Sequence, residues 1–221
     1  MNGRPLVGFP DVVRLKFKNG WVCSGVYLDR ETILTAAHCL VIPESKKLIE
    51  LEQVLTIGDS KLAVKEVKSI VHPSYEAQSW PAYDIAIIKT TENKNFEGSF
   101  HIETKQKISR GKATLFGCGK NDLSKRTYTR TMGENTFNRI GAVLFFMGES
   151  SRMDSNLGIN VSIAPNDSGG PIIDQQTGNI IAVSTTTTVK NSAQYGILAL
   201  STGTSTVVSS NLNFISKYLK H

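Results

Sequence analysis

Three short segments hold side chains that together could cleave an acyl bond. His38 lies in Thr35-Ala36-Ala37-His38-Cys39, directly after an apolar run. Asp84 opens Asp84-Ile85-Ala86-Ile87-Ile88, and Ser168 lies in Asn166-Asp167-Ser168-Gly169-Gly170-Pro171. A serine hydroxyl keeps its proton at neutral pH and needs an adjacent base to become a nucleophile. Histidine is the side chain whose ordinary pKa suits that task. A carboxylate on the other ring nitrogen holds the tautomer and stabilises the imidazolium. Singly, each segment has a plainer reading: a core histidine, a turn aspartate ahead of a buried strand, a Gly-rich loop. Together, in the order His, Asp, Ser, they point to acyl transfer.

These segments resemble those of the chymotrypsin/trypsin family of serine proteases. The Thr-Ala-Ala-His-Cys run is similar to the surroundings of that family's general base, the Asp-Ile-Ala run to its orienting acid, and Asp-Ser-Gly-Gly-Pro to its nucleophile. Weaker matches are Val71-His72-Pro73-Ser74-Tyr75 ahead of the acid, Leu115-Phe116-Gly117-Cys118-Gly119, and the closing Gly203-Thr204-Ser205-Thr206-Val207-Val208. The resemblance implies a catalytic triad of His38, Asp84 and Ser168, with the N–H groups of Asn166 and Ser168 as oxyanion hole. Asn166 stands where the family usually has Gly; Asn tolerates positive φ better than most residues. The resemblance also implies a Cys23–Cys39 disulfide, leaving Cys118 as a buried free thiol, and hence a secreted or periplasmic protein.

By the same resemblance Ser162, Ser184, Thr185, Thr186 and Gly203 line the substrate pocket, with Tyr195-Gly196 as the alternative to Gly203. Ser162 replaces the acid that selects Arg or Lys, and Thr186 narrows the wall, so small or medium uncharged side chains are expected. Asp167 is the expected partner of an α-amino group freed when a zymogen is cut. Met1-Asn2-Gly3 resembles a mature start whose first one or two residues Met has displaced, so a precursor with a signal and pro-segment is expected upstream. Two glycosylation sequons, at Asn160 and Asn166, fall at the expected active site and favour a bacterial source, whose secreted chains escape that modification.

Such residues need a frame of strands. Alternating, β-branched segments cover 12–17, 21–28, 33–34, 54–57, 63–71 and 85–89, then 113–116, 140–147, 172–173, 180–189 and 204–208. Short strands between Gly, Asn, Asp and Ser clusters indicate an all-β sandwich or barrel. The family resemblance makes this two six-stranded antiparallel β-barrels. Residues 1–100 are expected to form the barrel carrying His38 and Asp84, 101–110 a linker, and 111–210 the barrel carrying Ser168. A short C-terminal helix is expected over 211–221, where Leu212, Ile215, Tyr218 and Leu219 share one face.

Composition sets the outer limits. The chain has 221 residues, 40% of them hydrophobic and 20% charged, which fits a folded globular protein. Its longest apolar stretch, near 140–147, is too short to span a bilayer as a helix. The net charge of +6 comes from scattered Lys and Arg with no interleaved aromatics, so neither nucleic acid nor membrane is an expected partner. No cofactor is expected, and no metal, since Cys and His lack ligand spacing. The expected partners are protein or peptide substrates and a protein inhibitor in the same cleft, with the chain a monomer. An α/β-hydrolase esterase would need Gly-x-Ser-x-Gly and another chain order. A cysteine hydrolase fails because Cys39 follows the His in the implied disulfide. The remaining alternative is a weak or inactive protease homologue that binds a protein in its cleft.

Overall fold

Branched side chains favour extended backbone, and alternation of apolar with polar residues sends one face of each strand inward. In β2 (Val12–Phe17) Val13, Leu15 and Phe17 are buried while Arg14 and Lys16 are half-exposed. A computed structural model describes residues 4–5, 8–43, 45–56, 60–76, 81–105, 109–119, 131–149, 163, 166–192 and 197–219; side chains at 4–5, 81, 147–149, 186–192 and 197–204 are left aside.

The first sheet is antiparallel, in the order β5 (Leu51–Leu55), β2, β3 (Val22–Asp29), β4 (Thr32–Thr35), β7 (Ala86–Thr90), β6 (Glu66–Val71). It curls into a half-barrel whose outer strands do not pair. The Glu66 carboxylate bridges that seam, accepting the Leu51 N–H at 2.7 Å and the Ser69 hydroxyl at 2.8 Å.

The second sheet contains β8 (Arg110–Gly117), β9 (Thr131–Ile140), β10 (Val143–Glu149), β11 (Pro171–Asp174), β12 (Ile180–Ser192) and β13 (Ile197–Val207). Its order, β9-β10-β13-β12-β11-β8 and back to β9, is a closed six-stranded ring. A two-residue β1 (Arg4–Pro5) adds to β9 at Thr131 and Met132. The expected pair of six-stranded barrels is therefore present, one closed and one open at a seam.

Leu115, Phe137, Leu144, Phe146 and Ile172 fill the second barrel. The core of the first continues across the junction into Phe116, Cys118, Ile173 and Val183. Each large apolar side chain fully buried there contributes roughly 1.5–3 kcal/mol. The fully buried Asp11 ties the connecting chain down by accepting the N–H groups of Glu97 (3.0 Å) and Ser99 (2.7 Å).

The C-terminal helix is shorter than its periodicity suggests. α1 (Leu212–Ile215) is one turn, continued on both sides by 3-10 turns over Ser209–Asn211 and Ser216–Tyr218. It packs on the first barrel, with Phe214 against the His72 ring at 4.8 Å. Lys89 donates to the Tyr218 carbonyl at 3.0 Å, satisfying an end carbonyl the helix leaves open. Among the described residues no helix is long and apolar enough to cross a membrane.

Candidate active site

His38 stands on a 3-10 turn, Ala37–Cys39, that follows β4 without a gap for a larger neighbour: Ala36 and Ala37 are fully buried. Asp84 sits between the 3-10 turn Pro81–Tyr83 and β7. The two meet at two points. The Asp84 Oδ2 lies 2.7 Å from His38 Nδ1, and Oδ1 accepts the His38 backbone N–H at 2.9 Å. This double contact fixes both the ring and the turn that carries it. The Asp84 side chain is 7% exposed and that of His38 32%, so the acid is shielded while the imidazole reaches solvent. Burial alone lowers the His38 pKa, but the charge and hydrogen bond of Asp84 outweigh it and the net shift is upward from 6.5.

Residues around Asp84 come from both barrels. Thr206 of β13 donates to the Asp84 carbonyl at 3.3 Å, so the second barrel helps position the acid. Tyr75 is pushed up to about 12, by burial and then by the Asp84 charge. The His72-Pro73-Ser74-Tyr75 loop is braced by the His72 ring, which stacks on Tyr83 at 4.9 Å and accepts the Ser74 N–H at 3.1 Å. Burial, and the Lys217 charge after it, keep His72 below its ordinary pKa, which suits that acceptor role.

Ser168 lies on the turn before β11, docked on β12: Gly169 donates to the Ser184 carbonyl at 2.7 Å, and Ser184 to that of Gly170 at 2.9 Å. Asn166 has φ of +73° and Gly169 of +85°, so the turn carries two left-handed residues. Asp167 is fully buried and accepts the Gly119 N–H at 2.8 Å. Residues 1–3, and with them the amine expected to meet Asp167, lie outside the described residues. The N–H groups of Asn166 and Ser168 donate to no other described residue, and both residues lie on a half-exposed turn. That arrangement can stabilise a developing oxyanion.

The Ser168 hydroxyl donates to the Thr185 carbonyl at 3.1 Å, and makes no hydrogen bond with His38. Ser184 and Thr185, expected in the pocket, are thus directly against the Ser168 turn; among the described residues Ser184 Oγ is buried without a partner. The backbone of Thr186 pairs with Thr204, and that of Gly203 with Thr187 and Phe146. Ser162 lies outside the described residues. Cys23 and Cys39 form the disulfide, and Cys118 is buried outside it as a thiol. Cys23, His38 and Cys39 gather their ligand-type atoms within 4.8 Å, but the bonded sulfurs offer no thiolate to a cation.

Other residues support the site: Thr206 and Thr35, which stand inside the quoted segments, and Ser24, which does not, each lend it a hydroxyl. The only sequence signal for Ser24 is its place beside Cys23.

A profile of the trypsin family matches residues 4–209. A venom serine protease of Polistes dominula is 27% identical over 207 residues, covering 79% of this chain and 70% of the relative. Venom serine protease 34 of Apis mellifera is 27% identical over 103 residues, which is 40% of this chain; the alignment spans 24% of that relative's length. For ovochymase-2 of Mus musculus the identity is 29% over 89 residues, 37% of this chain and 14% of the relative. These are animal proteins, so the bacterial source suggested by the sequons finds no support. A Glu endopeptidase solved in complex with MPD superposes with a TM-score of 0.71 at 16% identity, over 96% of this chain and 91% of that one. Neuropsin, a serine protease expressed in the limbic system of mouse brain, gives 0.71 at 18% identity over 99% of each chain. At that identity the two structures speak for the fold.

Proposed function

Because the chain belongs to the trypsin family, we propose that it is a serine endopeptidase with Ser168 as nucleophile, His38 as general base and Asp84 as the acid that orients it. The observation that carries this reading is the two-point grip of Asp84 on His38, at 2.7 and 2.9 Å, across the cleft from a Ser168 turn with two unused N–H donors. In this reading the Ser168 hydroxyl leaves the Thr185 carbonyl and turns to His38 Nε2. As Oγ bonds to the substrate carbonyl carbon, its proton passes to Nε2 and the carbonyl electron pair moves onto oxygen, facing the Asn166 and Ser168 amides. Collapse expels the amine, which takes the proton from Nε2. Water then repeats the sequence, and breakage of the acyl ester frees the acid and restores the hydroxyl. Each oxyanion donor is worth roughly 3–4 kcal/mol in such a step.

Ser184 and Thr185 beside the nucleophile, together with Ser162, Thr186 and Gly203 where the family resemblance assigns them to the pocket, favour small or medium uncharged side chains over Arg or Lys. The disulfide and the family favour a secreted, monomeric enzyme matured from a zymogen, with Asp167 receiving the new amine. Digestion of a peptide library, with Ser168→Ala as blank, tests the reading: the expected cuts follow small uncharged residues and vanish in the blank. Cuts confined to Arg and Lys would sink the pocket assignment. One observation favours a second reading, a homologue that binds without cutting: the hydroxyl rests on Thr185, not on His38. An undigested library decides for it.

The pH profile follows from His38. The base works only when neutral, and Asp84 holds its pKa above 6.5. kcat/KM is therefore expected to rise with pH through a midpoint above 6.5 and then level off. A midpoint below that value contradicts the coupling to Asp84.

A further inference from the structure

Four backbone and hydroxyl contacts converge on a residue outside the triad. Ser24, on β3 of the first barrel, is fully buried. Its N–H donates to the Ser168 carbonyl at 2.7 Å. Its hydroxyl donates to the Asn166 carbonyl at 3.1 Å and accepts the Cys118 N–H, beyond β8, at 2.8 Å. Its own carbonyl accepts the Thr35 hydroxyl at 2.8 Å, on the strand that leads to His38. One residue thus joins the base-bearing strand, the exit of β8 and both ends of the Asn166–Ser168 turn.

We infer that Ser24 is a positioning residue for the oxyanion-binding amides, acting by holding Asn166 at positive φ. The inference rests on the peptidase reading above. A non-Gly residue keeps a left-handed conformation only where its surroundings over-determine it. For Asn166, at φ of +73°, the side-chain anchor on its carbonyl is the Ser24 hydroxyl. That hydroxyl has one proton to give; it goes to Asn166, while a lone pair takes Cys118. With the Asn166 and Ser168 carbonyls tied to the same residue and Asp167 tied to Gly119, the turn and the two amides it carries are held in one arrangement. Without the hydroxyl, Asn166 relaxes toward negative φ and its N–H swings away. The Ser24 backbone contact to Ser168 stays, so the nucleophile itself is held.

The test compares a peptide aldehyde, which adds to Ser168 and places an oxyanion at the two amides, with the same peptide as a carboxamide, which binds without adding. Ser24→Ala is expected to weaken the aldehyde about 10- to 100-fold and leave carboxamide binding within about 2-fold. kcat falls with the aldehyde, and KM holds. Ser24→Gly, which removes the same hydroxyl at lower volume, is expected to do the same and serves if the alanine variant does not fold. Equal weakening of both ligands, or no weakening of either, in a folded variant overturns the inference. If the wild type itself fails to bind the aldehyde, the peptidase reading falls and this inference falls with it.

Discussion

Asp84→Asn is expected to lower kcat about 10⁴-fold while the fold and KM stay nearly unchanged. The carboxylate accepts two N–H groups, from His38 Nδ1 and from the His38 backbone. An amide has one acceptor oxygen. If that oxygen stays on the backbone N–H, the NH₂ faces Nδ1 and can only donate to it. The ring proton then sits on Nε2, where it blocks transfer from Ser168. The variant also removes what raises the His38 pKa, leaving burial to lower it, so the midpoint of any residual activity moves down in pH. Steady-state kinetics over pH check both effects. A variant retaining a tenth of wild-type kcat would show that Asp84 does not orient the base.

Gly169→Ala is expected to lose about 3–5 kcal/mol of stability, or to displace the nucleophile's turn. The residue has φ of +85°, and a Cβ there would stand 2.1 Å from Thr35 Oγ1 and 2.2 Å from the Ser24 carbonyl oxygen. These atoms belong to packed strands that cannot withdraw. Gly178, at φ of +74° with nothing within 4 Å of a Cβ, is the matched control. Gly178→Ala carries the conformational strain alone, about 1 kcal/mol. Urea unfolding of both variants, on a Ser168→Ala background that removes self-digestion, separates the packing cost from the strain. Equal losses would contradict the close approach of the two barrels at Gly169.

The segments around His38, Asp84 and Ser168 stood out because the chemistry proposed for them demands particular residue types beside strands whose patterns are strong. Ile33, Leu34 and Ile85 through Ile88 announce β4 and β7, which flank His38 and Asp84. β9 was hidden. Its inward positions include Thr131, Gly133 and Asn135 with Phe137, so burial alternates while hydrophobicity does not. The apolar stretch at 140–147, expected as one strand, holds instead a turn at Gly141 and the start of β10, since Gly141 at φ of +60° allows the hairpin. The hydrogen-bonding roles of Ser24 and Thr206 could not be read, because a hydroxyl's partners are set by tertiary contacts far along the chain. Of the face expected at the C-terminus only Ile215 is buried, with Tyr218 and Leu219 packed against the core, while Phe214, outside that face, is buried and 3-10 turns carry the rest.

The central claim is that Ser168 is an activated nucleophile. A fluorophosphonate probe tests it most directly, because attack by Oγ on phosphorus expels fluoride and leaves a covalent mass increment. Intact mass spectrometry of wild type and Ser168→Ala, treated side by side, is expected to show one adduct on the wild type and none on the variant. An unmodified wild type, or equal labelling of the variant, would contradict the account.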